Sequence, residues 1–261
     1  MGGRGSGSGL SKVRIGFSSV TPPITPPQPQ PVKPKTSSVV EQGMYKRFMQ
    51  ATDDEKAQMI TTLTREKVPI FLADNDFQKL TFALGGTDKP TIVTDKQLNS
   101  INGVEIYRTV NSVKDTKHGI TYNADDIATQ IQKGTVTRVS DSGGSAYGRG
   151  IYFADDYGSS ACYGNVNGNV KKCAVVRAKI DPKAKVIDYN KATRQMQREM
   201  ASGSKLGKAL SKCDSQSRVS IYALSKGYSA ISSGGWGGYY NVLSRKALVM
   251  SEDVRPRSSR W

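Results

Sequence analysis

The stretch YGRGIYFADDYGSSACYG, Tyr147 to Gly164, sets two glycines around an arginine, then an apolar strand-like run, then small residues and a tyrosine. Glycines of this kind hold phosphates when spaced G-x-G-x-x-G ahead of a helix. Gly148 and Gly150 need a third glycine where Phe153 stands, so the dinucleotide fingerprint is absent. GSKLGKA, Gly203 to Ala209, has three residues between its glycines where a P-loop has four, and Ala209 replaces the magnesium-holding hydroxyl. GSSAC and GGSAY both lack the last glycine of a hydrolase elbow. Cys162, Cys173 and Cys213 have no CxxC spacing and His118 is the only imidazole, so no cysteine-histidine metal site is expected.

The elements that must carry this stretch follow from periodicity. A helix is expected from about Val39, with Met44, Phe48 and Met49 on one side; Thr52 and Glu55 then stand in capping-box spacing ahead of Met59, Ile60 and Leu63. A second helix fits Asp76 to Leu84, where Phe77, Leu80 and Leu84 share a face and Gly85-Gly86 supplies the stop. PTIV and VEIYRTV read as strands, Asn123 caps a short helix bearing Ile127 and Ile131, and Gly134 ends it. KKCAVVRAKIDP is a β-rich run closed by Pro182, followed by a helical region from Lys191 to Lys212 broken at SGS. The remainder, from Val219 to Met250, reads as short apolar runs separated by glycine, and the whole as α+β.

Residues 1–40 form a basic Gly- and Pro-rich arm with Arg4, Lys12, Arg14, Lys33 and Lys35 and no acid, a composition that cannot offset the entropy of ordering. Thirty-eight Lys and Arg against twenty-two Asp and Glu give a net charge of +16, which attracts polyanions such as nucleic acid. No apolar run of membrane-spanning length and no secretory signal is read, so a soluble protein of a reduced, cytoplasmic setting is expected, with no membrane partner.

Residue by residue, GRGIYFADDYGSSACYG resembles the NAD-binding segment of poly(ADP-ribose) polymerases and related ADP-ribosyltransferases, in which a G-x-G-I-Y-F-A strand precedes a helix bearing Ser-x-x-Tyr. Here these are Gly148 to Ala154 and Ser160 to Tyr163. The resemblance implies NAD as substrate without a metal, Tyr152 as one wall of the nicotinamide pocket, Ser160 as a hydroxyl contact to the carboxamide and Tyr163 as a stacking ring. Two aromatic faces suit a flat cation, and Gly148 and Gly150 permit close backbone approach. The family's first motif places a polar residue on an early strand; Arg108 of VEIYRTV matches it, with its guanidinium on phosphates or ribose and the Thr109 backbone on the carboxamide. Ser140 to Ser142 resemble the toxin branch's serine motif in an auxiliary role.

The third motif departs from the family. The toxin-like branch carries E-x-E-V-L-L; YYNVLSR sets Tyr239 and Asn241 in place of the two acids, and a shift to Tyr240 restores neither. An amide accepts no proton, and losing a general base typically costs a factor of about 100 to 10,000. Three readings stay open: an acid from elsewhere (Glu105, Asp141 or Asp155), a carboxylate of the target, or NAD binding without turnover.

The resemblance, over roughly Asn102 to Met250, implies the ADP-ribosyltransferase fold, a split antiparallel two-sheet core, as residues 101–261 behind a helical part at 41–100. It implies single ADP-ribose transfer to a host protein acceptor. MGGRGSGSG and NDFQKLTFALGGTDKP resemble phage-encoded members, some of virion heads, which would make the arm a capsid or nucleic-acid contact or the lead of a delivered effector. The rival reading, from another class, is a catalytically degenerate, virion-associated binding module.

Overall fold

A computed structural model describes residues 39–67, 75–85, 89–115, 120–133, 146–163, 173–234 and 238–256, without the side chains of 39–42, 113–115, 120, 122, 163, 255 and 256. The arm, except for the backbone of its last two residues, and Gly86, His118, Gly134, Ser140 to Ser142 with Asp141, and Gly164 therefore lie outside the described residues.

Helix α1 (Val39–Gln50) buries Phe48, and α2 (Asp53–Leu63) opens on the expected capping box: Thr52 accepts from the Glu55 N–H and the Glu55 carboxylate accepts from the Thr52 N–H. These bonds hold the Glu55 carboxyl below its usual range. Thr52→Ala should lower stability by about 1 kcal/mol, the usual worth of an N-cap, measurable in a urea unfolding curve. Helix α3 (Asp76–Ala83) is N-capped by Asn75, and Gly85, at φ 105°, takes the left-handed conformation that ends it.

Strand β1 (Thr91–Val93) leads into α4 (Asp95–Ser100), a turn and a half with its own capping box from Thr94 and Gln97. Then come β2 (Glu105–Asn111), the ribbon β3 (Val113–Asp115) and β4 (Ile120–Tyr122), and α5 (Ala124–Lys133). The Ala124 N–H at the start of α5 is capped by the Ser112 hydroxyl, while Asn123 gives its carbonyl to Ile127. Within the Tyr147 to Gly164 stretch lie β5 (Ile151–Ala154) and α6 (Tyr157–Tyr163). β6 (Cys173–Ile180), β7 (Val186–Asp188), α7 (Tyr189–Ala201) and α8 (Lys205–Ser211) follow.

The region read as glycine-separated apolar runs begins instead inside a helix, α9 (Ser215–Ser225), N-capped by Asp214. From Val219 to Ser225 every residue of α9 is buried. A helix apolar all round shows no amphipathic period, so the pattern that marks surface helices was missing. Its N-terminus docks on that of α3: Asp214 accepts from the Asp76 N–H, Asp76 accepts from the Asp214 N–H, and the Ser217 hydroxyl accepts from the Phe77 N–H. The chain closes with β8 (Ala230–Ser232), β9 (Tyr239–Val242), a 3₁₀ turn at Arg245–Ala247 and β10 (Leu248–Pro256).

The fold is α+β. Eight strands form one mixed sheet in the order β1-β10-β6-β2-β5-β9-β8-β7. Both outermost strands run parallel to their neighbours, β1 to β10 and β7 to β8, so the sheet is not the purely antiparallel one expected. The short edge strands reach their partners from distant parts of the chain, which sequence spacing does not reveal. The eight strands are not divided into the two sheets expected: they form one sheet, in which β2 pairs with β6 over seven residues and with β5 only at Tyr107↔Ala154.

Two apolar clusters flank the sheet. One face packs Ile106 and Val110 of β2, Ile151 and Phe153 of β5 and Val176 of β6 with Ala128 and Ile131 of α5. The other joins Phe48, Ile60, Phe77 and Leu80 to Leu206, Ile221 and Leu224 and to Ile187 and Ile231 of the sheet. Helices α1 to α3 and α7 to α9 thus bury one common core. Among the described residues, no helix is long and apolar enough to cross a membrane.

Candidate functional site

Where β2 and β5 part company beyond Tyr107↔Ala154, side chains take over from the ladder. Arg108 sits on β2 between Ile106 and Val110, and its Nη1 donates to the Tyr152 carbonyl at 2.7 Å, crossing from one half-sheet to the other. Its Nε is buried and finds no partner among the described residues. Burial pushes the guanidinium down to about 10, still a cation at neutral pH.

The next residue faces the opposite side of the sheet, as strand alternation requires. Thr109 Oγ1 and Ser160 Oγ share a hydrogen bond at 3.0 Å, with Ser160 only 2% exposed. Tyr107, on the same face, meets Tyr157 edge-on with ring centroids 5.9 Å apart. These pairs seat α6 over β2, and Asp156 starts the helix by accepting from the Ser159 N–H, which holds its carboxyl below the usual range. Tyr163 is the last residue of α6; its side chain lies outside the described residues.

Tyr152 lies directly opposite Asn241 in the β5–β9 ladder, and both side chains serve the turn that precedes β5. The Tyr152 hydroxyl donates to the Gly148 carbonyl at 2.5 Å and accepts from the Tyr147 N–H at 3.0 Å; burial raises its pKa. Asn241, with no exposed surface, donates from Nδ2 to the carbonyls of Tyr147 at 2.9 Å and Arg149 at 3.3 Å. Three successive carbonyls are satisfied by two side chains.

The glycines admit the protein itself. A Cβ on Gly150 would stand 2.9 Å from both Asn241 Cγ and the Val242 carbonyl oxygen and closer still to Asn241 Oδ1. Gly148, at φ 87°, presses on α9, where a Cβ would come within 2.6 Å of Val219 Cγ1 and nearer to the Ser220 hydroxyl. The close approach that the sequence assigns to a ligand is therefore taken up by β9 and α9.

No described carboxylate stands at the third motif. Glu105 is held by Arg177, which donates from Nε at 3.0 Å and Nη2 at 2.8 Å and keeps the carboxyl below its usual range. Asp155 is exposed and lies against Gly238. Among the described residues no three His, Cys, Asp or Glu gather as a metal site would require.

Sequence reasoning passed over two members of an aromatic group beside Asn241. Tyr147 meets Tyr189 edge-on at 5.2 Å and stacks on Tyr239 at 6.4 Å and 23°. Tyr189 opens α7, forty-two residues beyond Tyr147, and nothing in its neighbourhood marks it. Only Tyr147, in the segment itself, carried a signal. The candidate residues thus lie on both faces of β2: Arg108 on one, reaching the Tyr152 carbonyl, and Thr109 with Ser160 on the other, while Gly148, Gly150 and Asn241 pack around the turn that Tyr152 holds. Compared with family models, curated proteins and solved structures, the chain matches none.

Proposed function

We propose that the protein is an NAD-dependent mono-ADP-ribosyltransferase, phage-encoded, that cleaves the nicotinamide–ribose bond and passes ADP-ribose to a host protein. The observation that carries this reading is Arg108 of β2, whose guanidinium reaches the Tyr152 carbonyl of β5 where the two strands diverge and whose buried Nε has no partner among the described residues.

The donor set suits the substrate. Arg108 Nε, buried without a partner, calls for an acceptor such as a phosphate or ribose oxygen. The Ser160 hydroxyl can exchange Thr109 for a carboxamide, and the Tyr152 ring supplies one apolar wall. In the reaction the glycosidic C–N bond breaks, nicotinamide leaves with the electron pair, and the acceptor's nucleophile closes on C1′. The chain's share is to hold the two ends of the dinucleotide apart and to exclude water. The basic arm then serves as a capsid or nucleic-acid contact.

A second reading is favoured by Asn241: a binding module that holds NAD without turnover, since the side chain at the acid's position is spent on the protein's own backbone. Labelled NAD incubated with host lysate separates them. Transfer of label that falls at least about 100-fold in Arg108→Ala supports the enzyme. Binding in calorimetry with neither transfer nor hydrolysis supports the module, and no binding at all overturns both.

A further inference from the structure

We infer that Asn241 is a positioning residue whose amide, as a hydrogen-bond donor, shapes the Tyr147–Gly150 turn and through it fixes the ring of Tyr152. This rests on the reading of Tyr152 as a wall of the NAD site. Asparagine at this position is then a different solution from a lost glutamate.

The geometry dictates the residue type. Nδ2 faces two carbonyl oxygens, of Tyr147 and Arg149, so the group there must donate twice. An amide flip would put Oδ1 against both carbonyls, so the orientation is fixed. Oδ1 points at the Gly150 backbone and has no partner among the described residues. Between those two bonds lies the Gly148 carbonyl, taken by Tyr152. Asn241 and Tyr152 thus grip the same turn from adjacent strands, and loosening one grip frees the other. The Tyr147 ring, carried on the turn, rests on Tyr189 and Tyr239.

A carboxylate only accepts, so charge at 241 opposes the carbonyls it must hold. Asn241→Asp keeps the shape and regains one donor when protonated. Its surroundings are Tyr147, Tyr152, Tyr189 and Tyr239, the Arg149 cation that acts on Tyr152, Ser220 of α9, and the apolar Ile231 of β8. Repulsion and burial raise the new acid above its unfolded value, so the variant's stability is fullest below that value and falls as pH rises through the folded one.

The experiment compares full-length wild type with Asn241→Asp and Asn241→Glu at pH 5 and pH 8, reading melting temperature without ligand and NAD affinity by calorimetry. The expected result for Asn241→Asp is a melting temperature below wild type at pH 5 and further below it at pH 8, with NAD binding at pH 8 weakened about tenfold or more, the worth of one buried hydrogen bond. The wild-type difference is flat over this range. Asn241→Glu restores neither stability nor transfer.

Equal melting curves for Asn241→Asp and wild type at both pH values overturn the inference, as does unchanged NAD affinity in a variant whose stability has become pH-dependent. The pH-dependent stability with no NAD bound by wild type leaves the donor role standing and removes the NAD reading. Should Asn241→Asp not fold at pH 8, Tyr152→Phe decides: it removes the grip on Gly148, and amide exchange of Tyr147 must quicken. Unaltered exchange there overturns the coupling.

Discussion

Gly150→Ala is expected to lower stability by about 3 kcal/mol or more and to abolish NAD binding, although it adds one methyl group. The residue's φ is not in the left-handed region, so the effect is steric. The new Cβ meets Asn241, whose side chain is held by two hydrogen bonds, and the Val242 carbonyl, which belongs to the ladder with β5. Neither neighbour is the loose end of a flexible chain. Relief comes by pushing Asn241 aside, which frees two turn carbonyls, or by parting β5 from β9. For a domain of this size the loss lowers the melting temperature by roughly 6–12 °C. Asn241→Ala added to Gly150→Ala should cost less than the sum of the two single changes, because the clash goes with the side chain. Strict additivity would mean that the two residues do not oppose each other.

This packing shows what sequence could and could not convey. The capping box at Thr52 and the glycine stop at Gly85 are local, made of neighbours whose bonds follow from spacing, and they were legible. So was the start of the helix at Asp76, though its N-terminus is completed by Asp214, which is 138 residues away. Helix α9 was not legible: from Val219 to Ser225 every side is buried, so its sequence carries no stripe. The parallel pairing of β1 with β10 unites residues 91–93 with 249–251, and no local pattern encodes such a partner.

The candidate site divides in the same way. Types and order in Gly148–Ala154 and Ser160–Tyr163 drew attention to one strand and one helix, and the fold sets them beside Arg108 and Thr109. What Asn241 does was hidden, because a position compared with an acid is judged by the charge it lacks. Its two acceptors lie 94 and 92 residues back, and only the fold brings them together. Gly148 and Gly150 likewise announce a close approach in sequence without saying what approaches.

Arg177→Ala should cost about 2–3 kcal/mol, because it takes the guanidinium from a half-buried carboxylate and from the α4 residues Asp95 and Asn99. Arg177 is the hub of a polar group on the face of β6 that Tyr107 and Thr109 share on β2. It forks onto Glu105, reaches Asp95 at 3.5 Å and donates to Asn99, while Ser251 donates to Asp95 at 2.5 Å and Tyr107 donates to Glu105. Burial and the Glu105 bond push the Tyr107 phenol up to about 12, so it remains a donor. Lys179, the other nearby cation, is anchored to the Ile101 carbonyl at 2.7 Å. Glu105 has its folded value lowered, so its contribution is full above the unfolded carboxylate value, about 4.3, and is lost as pH falls through the folded one. Without Arg177 the largest cause of that lowering is gone, so the variant gains less stability than wild type as pH rises through the carboxylate range. Melting temperatures between pH 3 and pH 7 should therefore diverge, with the gap widest at neutrality. Replacing both partners, Arg177→Met with Glu105→Leu, should recover part of the loss, since the stranded Glu105 charge goes while Asp95 keeps Ser251 as a donor and Tyr107 loses its acceptor. A single variant within about 1 kcal/mol of wild type at pH 7 would place the pair among weakly coupled surface bridges. The network would then not be what fixes β2 beside the opening where Arg108 and Thr109 stand.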